Sequence, residues 1–254
     1  MPPQPYETDS YSEPNPYCNL GLLYHQTKRV GLAENAFQRA DGFLAPRMGD
    51  GPLDFIVATS RAAVAHNWGD LHLTSGQTDE ALASFDRGIG WCEDILRKEP
   101  TYAPARQRLL ELHGSKANTY DALKRFAEAA KEWQRAIELA EGAPRLEYRM
   151  RRSVSLARGG DSIHAAAEAD ALAAEPGCSS DLLYNSACVL ALSGRADKAM
   201  ALLSKLQTEG YFENEQPFKE LRTDTDLDSL RRRDDFLCLL EKATAKRSPP
   251  QLKK

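Results

Sequence analysis

The sequence predicts an all-α fold, a stack of about five helical hairpins closed by a C-terminal capping helix. Three observations support this prediction. The body of the chain is rich in Ala, Leu and Glu and has few β-branched residues, which favours helix over strand. Glycines and prolines interrupt it at intervals that fit helical hairpins. A pattern of small and large apolar residues also recurs along the chain at fixed offsets.

Composition restricts the class of protein. The 254 residues are 42% hydrophobic, which is enough to build a core. The 33 Lys and Arg against 37 Asp and Glu give a net charge of -4, which argues against nucleic acid and anionic membrane as partners. The five scattered cysteines contain no C-x-x-C pair, and no signal peptide or membrane-spanning run is evident, so we expect a reducing, cytoplasmic location.

Boundaries follow from changes in composition. Residues 1–13 mix Pro, Ser and acidic residues and are expected to form a flexible leader, while residues 245–254 form a flexible basic tail. Between them we expect a repeat array over 14–210 and capping helices over 211–244. The five repeats are placed at about 14–47, 62–95, 110–143, 146–179 and 180–213.

The repeats share five positions, at offsets 0, 3, 12, 16 and 19. The three strong copies are Gly21, Tyr24, Ala33, Phe37 and Ala40, then Gly69, His72, Ala81, Phe85 and Gly88, then Ala117, Tyr120, Ala129, Trp133 and Ala136. The two weaker copies are Ser153, Leu156, Ala165, Ala169 and Leu172, then Ala187, Leu190, Ala199, Leu203 and Leu206. The small residue at offset 12 advances in steps of 48, 48, 36 and 34 residues.

Packing explains these residue types. Small residues at offsets 0 and 12 allow the two helices of a hairpin, A and B, to approach closely, and the large residue at offset 16 fills the layer between them. A turn must separate the helices. Gly76, Gly160 and Gly194 each precede the second small residue by five positions, and we expect them to adopt the left-handed conformation that ends helix A.

The segments NWGDLHLTSGQTDEALASFDRGI and KANTYDALKRFAEAAKEWQRAI resemble the tetratricopeptide repeat family, and the resemblance extends over roughly residues 14–210. It implies a right-handed superhelical solenoid that binds other proteins. The fourth copy departs from the pattern: Arg149 and Arg152 stand where apolar residues are expected, and Ala169 replaces the large aromatic. The sequence therefore leaves the register of the fourth copy undecided.

The segment after the fifth copy has the apolar spacing of short amphipathic helices, which would cap the stack. Its string LRTDTDLDSLRRRDDFLCLL resembles segments that close the repeat regions of large bacterial serine/threonine protein kinases. The resemblance implies an alternative function: a regulatory or substrate-docking region related to such a kinase and lacking the catalytic domain.

Catalytic and ligand-binding motifs are missing from the sequence. It contains no G-K-[ST], H-R-D, D-F-G, G-x-S-x-G or H-E-x-x-H motif, and its five histidines show no i,i+4 pair. We therefore expect no enzyme activity, no cofactor and no metal site.

Helix-A residues facing away from helix B are the candidate contacts of a peptide groove, because the A helices line the concave side of such a stack. The candidates are His25, His66, Asp70, Asn118, Asp121 and Tyr184. The Lys and Asn clamp of chaperone-binding members does not match, since Cys18 and His66 stand three residues before the first small residue. The expected partner is instead a protein or peptide of mixed apolar and basic character, whose cations would meet Asp70 and Asp121. The sequence leaves its identity and the oligomeric state open.

A second candidate surface is the basic cluster in RLEYRMRRS. Arg149, Arg151 and Arg152 could form an anion site or a docking patch for an acidic partner. The competing interpretation is an ordinary solvated helix face.

Overall fold

A computed structural model describes residues 16–45 and 52–247 of the protein. These residues contain α-helices and short 3-10 helices and no strand, which confirms the all-α prediction. The helices are α1 Pro16–Gln26, α2 Val30–Leu44, α3 Pro52–Thr74, α4 Thr78–Lys98, α5 Ala103–Ala122, α6 Phe126–Leu139, α7 Gly142–Arg158, α8 Ser162–Ala173, α9 Ser180–Leu192, α10 Ala196–Thr208, α11 Glu215–Thr223 and α12 Asp234–Arg247. The predicted leader and residues 248–254 of the predicted tail lie outside the described residues. Helix α12 runs to Arg247, which makes 245–247 helical and not part of a tail.

The helices α1 to α10 follow one another as A and B helices joined by three-residue turns. Gly76, Gly160 and Gly194 occupy the middle of their turns with positive φ, as predicted. The same place in the other two turns is held by Lys28 and Lys124, both at φ 59. The left-handed turn is therefore set by its position in the repeat, and it forms even where the sequence supplies a residue with a Cβ.

Burial of the small residues confirms the register of all five copies. The residues at offset 12 are fully buried, and each has an exposed fraction of 0%: Ala33, Ala81, Ala129, Ala165 and Ala199. In the fourth copy Ser153, Ala169 and Leu172 are fully buried as well. The arginines of this copy had left its register undecided. Burial places Ser153 at offset 0, the position of the first small residue.

Longer helices account for the 48-residue steps. Helices α3, α4 and α5 have 23, 21 and 20 residues, whereas α9 and α10 have 13 each. Helix α3 begins at Pro52, ten residues before the start predicted for that repeat. The additional length lies ahead of the repeated positions in α3 and α5 and beyond them in α4. The pattern of small residues carries no information about either part.

The chain divides into two compact units, each with its own core. Unit 1 comprises Met1–Leu123 with Glu138–Ala140, and unit 2 comprises Lys124–Ile137 with Glu141–Lys254. In unit 1, Phe37 and Phe85 are fully buried members of two separate apolar clusters. In unit 2, one continuous cluster extends from Met150 on α7 to Ala243 on α12.

The C-terminal segment packs into the core of unit 2. Its apolar residues Leu221, Leu227, Leu230 and Phe236 each have an exposed fraction of 0%. A 3-10 helix, Thr225–Leu230, lies on α9, and α12 packs on α10. This packing explains why leucines recur in the string LRTDTDLDSLRRRDDFLCLL. The relation of that string to protein kinases stays a prediction.

Candidate functional site

Three A helices of unit 1, α1, α3 and α5, lie side by side and bond to one another through polar side chains. His25 Nε2 and Thr74 Oγ1 share a hydrogen bond of 3.0 Å, and His66 Nε2 lies 2.7 Å from Ser115 Oγ. Asn67 Nδ2 donates to Cys18 Sγ at 3.4 Å. Each of these pairs is separated by 49 residues, one repeat step plus one position. The polar side chains of these three helices therefore form one surface, the A-helix strip.

His66 sits at the centre of the strip with both ring nitrogens engaged. Arg108 lies 3.3 Å from His66 Nδ1 and donates to it, since a guanidinium has no acceptor. The proton of a neutral ring must then sit on Nε2 and point to Ser115. Burial lowers the pKa of His66, while the charges of Asp70 and Glu111 oppose that shift and Arg108 adds to it. His66 is therefore neutral, and its proton is on Nε2.

Asp70 lies one helical turn beyond His66 and is half-buried. Burial raises the pKa of its carboxyl, against the opposing influence of His66 and His25. Among residues 16–45 and 52–247, no donor forms a hydrogen bond with this carboxylate. An ionised carboxylate that is partly removed from water and has no donor is poorly solvated, so a cation brought by a partner would stabilise it.

Arg108 and Glu111 form an ion pair on α5, within the A-helix strip. The Arg108 side chain donates to Glu111 Oε2 at 2.7 Å, so that acid is already neutralised within the chain. Arg108 Nε is buried and has no hydrogen-bond partner among the described residues. Of the two acids near His66, Asp70 therefore remains the one able to receive an external cation.

Asn118 and Asp121 follow Ser115 on the same helix. Asn118 is exposed and Asp121 is half-buried. In the repeat register Asn118 is the equivalent of Asp70, one copy later. Five of the six predicted groove residues, His25, His66, Asp70, Asn118 and Asp121, thus lie on A helices of unit 1. That a partner contacts them stays a prediction.

The structure contradicts the prediction that Tyr184 lines the groove. It has an exposed fraction of 3%, and its hydroxyl donates to Asp224 Oδ2 at 3.3 Å. The chain's own 3-10 helix covers this part of α9, and Ser229 Oγ donates to the Ala191 carbonyl at 3.2 Å. Tyr184 is therefore a core residue and not a groove residue. Its helix α9 contains a continuous apolar run over residues 187–192, a pattern that predicts burial on all sides and could have identified the error.

The arginine patch differs from the prediction, because two of its three charges are paired within unit 2. Arg149 bonds to Glu168 at 2.6 Å and to Glu175 at 3.2 Å, which ties α7 to α8 and its following turn. Arg151 pairs with Glu147 at 2.8 Å, and its guanidinium lies 5.5 Å from the ring centroid of Trp133.

Arg152 is half-buried and has no ion pair among the described residues. Arg149 and Arg151 are therefore engaged by acids of the chain, while anion binding at Arg152 stays a prediction. The partners of Arg149 are 19 and 26 residues away, a separation that no local sequence pattern reveals.

Within the described ranges, no group of three His, Cys, Asp or Glu side chains is placed to hold a metal ion. No helix of the described part is both long enough and apolar enough to cross a membrane.

Comparison with known families identifies the first hairpin as similar to a known repeat. Residues 14–42, which contain α1 and most of α2, match the model of the tetratricopeptide repeat. No curated protein matches the chain. Tetratricopeptide repeats generally mediate protein–protein interactions. The later hairpins share the register and burial of the matched one.

Proposed function

We propose that the protein is a non-catalytic interaction scaffold and that the A-helix strip of unit 1 binds a partner segment carrying Lys or Arg. The tetratricopeptide match at residues 14–42 supports the general role. The observation that carries the specific role is the half-buried Asp70 carboxylate, which has no donor within the described residues and interacts electrostatically with His66 and His25.

The surroundings of Asp70 define what a partner must bring. Leu22 and Leu73 are half-buried on α1 and α3, so aliphatic surface lies on the same helices as the carboxylate. Glu111 is engaged by Arg108 and offers little attraction to a further cation. A peptide with one basic side chain directed at Asp70 and apolar side chains on either side matches this arrangement.

A photo-crosslinking amino acid at Asn118 would test the proposal. Asn118 is exposed on α5, and the same group at Asp94, exposed on α4, provides the matched control. Captured segments would be identified by mass spectrometry and synthesised. We expect segments captured from Asn118 and not from Asp94, each containing Lys or Arg.

Affinity measurements would follow on the synthetic peptides. Asp70→Asn should weaken binding about tenfold or more, because a hydrogen bond to a charged group contributes about 1.5–3 kcal/mol. Asp94→Asn should leave the affinity unchanged. Captured segments without basic residues, or equal affinity of Asp70→Asn and the unaltered chain, would refute the proposal.

A further inference from the structure

Exposed apolar side chains are concentrated on the first hairpin. Of the nine exposed large hydrophobic residues in the described part of the chain, six lie between positions 17 and 43. These six are Tyr17 at 37%, Leu20 at 38%, Leu23 at 54%, Val30 at 42%, Leu32 at 50% and Phe43 at 41%. The other three are scattered over three separate segments, so this hairpin is where an interaction surface is indicated.

Five of these side chains share one side of the hairpin. Tyr17, Leu20 and Leu23 recur every third residue along α1. On α2, Leu32 and Phe43 flank Arg39 at helical spacing, and the Arg39 guanidinium lies 5.4 Å from the Tyr17 ring centroid. Tyr17, Leu20, Leu23, Leu32, Arg39 and Phe43 are here called the terminal face. The opposite side of α2, with Ala33 and Phe37, is buried and packs against α1 and α3.

Unit 2 shows how this chain covers such a surface. There the capping segment buries Leu227, Leu230 and Phe236 completely. An exposed end of a hairpin stack costs free energy and favours aggregation, so a covering element is expected on physical grounds. In unit 1 the leucines of the terminal face, Leu20, Leu23 and Leu32, are 38–54% exposed and need such a cover.

The charges around the terminal face favour an acidic occupant. Lys28, Arg29 and Arg39 are exposed on this hairpin, against Glu34. A second copy of the same face would bring like charges together, which disfavours self-association. Residues 1–15 contain Glu7, Asp9 and Glu13 and no Lys or Arg, together with two tyrosines and several prolines. Their charge and apolar content complement the terminal face.

We propose that residues 1–15, which lie outside the described residues, dock on the terminal face and cap the first hairpin. They continue directly into Pro16, where α1 begins. A segment of this length can reach about 50 Å, which exceeds the roughly 16 Å length of α1. The covalent link raises its effective concentration to about the millimolar range, so modest contacts are enough to hold it.

Hydrogen exchange on the full chain, followed by mass spectrometry at two protein concentrations, tests the proposal. We expect the amides of residues 6–13 to exchange about tenfold more slowly than in a synthetic peptide of residues 1–15. The double variant Leu20→Ser, Leu23→Ser should remove this protection. The matched control Leu237→Ser alters a leucine that is 46% exposed on α12 and should leave the protection intact.

Charge reversal gives a second arm that does not depend on the leucine variants folding. Lys28→Glu with Arg29→Glu should reduce the protection, and adding Glu7→Lys and Asp9→Lys should restore it. Exchange of residues 6–13 at the peptide rate would overturn the proposal. Protection that appears only at the higher protein concentration would also overturn it, because the occupant would then be a second copy.

Discussion

Gly69 lies directly against the ring of Phe85, sixteen residues later on the facing helix. An added Cβ at Gly69 would stand 2.7 Å from Cδ1 and 2.9 Å from Cζ of that ring. Gly21 has the same relationship to Phe37 one repeat earlier, with a Cβ 2.6 Å from Cδ1. In the first two copies the glycine is therefore required by the aromatic residue of the same copy.

Gly69→Ala should destabilise the protein by about 1–3 kcal/mol, because the methyl group would overpack the contact with Phe85. Urea unfolding followed by circular dichroism measures this. Gly90→Ala is the matched control on α4, where a Cβ meets nothing within 4 Å, and it should stabilise by about 0.5–1 kcal/mol. Equal effects of the two substitutions would show that the Gly69–Phe85 contact is not tight.

Lys124→Gly should stabilise the protein by about 1 kcal/mol. Lys124 adopts φ 59 in the middle of its turn, a conformation that costs an L-residue about 1–2 kcal/mol and glycine little. Thermal unfolding would show a higher Tm. As control, Lys131→Gly in the interior of α6 should destabilise by about 1 kcal/mol. A loss of stability in Lys124→Gly would contradict the left-handed turn.

Trp133→Ala should cost about 3–5 kcal/mol of unfolding free energy, since the ring has an exposed fraction of 1% and stacks on Tyr148 with centroids 5.7 Å apart. The same cost is expected for Phe85→Ala. Ile163→Ala, at a residue that is 77% exposed, should change the unfolding free energy by less than about 0.5 kcal/mol. A Trp133→Ala protein as stable as the parent would refute the repeat register.

Asp70→Asn should stabilise the free protein at pH 7. Burial raises the pKa of Asp70, so the folded chain binds a proton more tightly than the unfolded chain. The stability that this group contributes is complete below its unfolded pKa, about 3.9, and is lost as the pH rises through the folded pKa. The gain in Asp70→Asn should therefore shrink as the pH falls from 7 toward 4. Urea unfolding curves measured from pH 7 to pH 4 would give this difference in unfolding free energy. A difference that stayed constant, or grew at low pH, would contradict the raised pKa of Asp70.

The repeated part of the fold could be predicted from sequence because it depends on local steric requirements. Residues such as Ala81 and Phe85 recur at fixed offsets, since every hairpin repeats the same close contact. Lys28 and Lys124 were not recognised as turn residues because lysine carries no signal for positive φ. The start of α3 at Pro52 was missed for a related reason, since it precedes the repeated positions.

The candidate site was predicted only in part because its contacts are long-range. Helical spacing on the A helices selected Asp70, and the structure places it beside His66. The same rule selected Tyr184, whose exposure depends on Asp224, 40 residues away in the capping segment. The pairing of Arg149 with Glu168 likewise depends on how α7 and α8 pack, which the charge pattern of a single helix does not define.

The most direct test of the central claim is a hydrogen-exchange footprint of the full chain with and without a basic peptide captured at Asn118. We expect slowed exchange in the A helices of unit 1, α1, α3 and α5, with no change in α9, where Tyr184 is already covered. The footprint should disappear in Asp70→Asn at the same peptide concentration. Protection confined to α9 or to the B helices, or a footprint unaltered in Asp70→Asn, would contradict the claim that the A-helix strip is the binding surface.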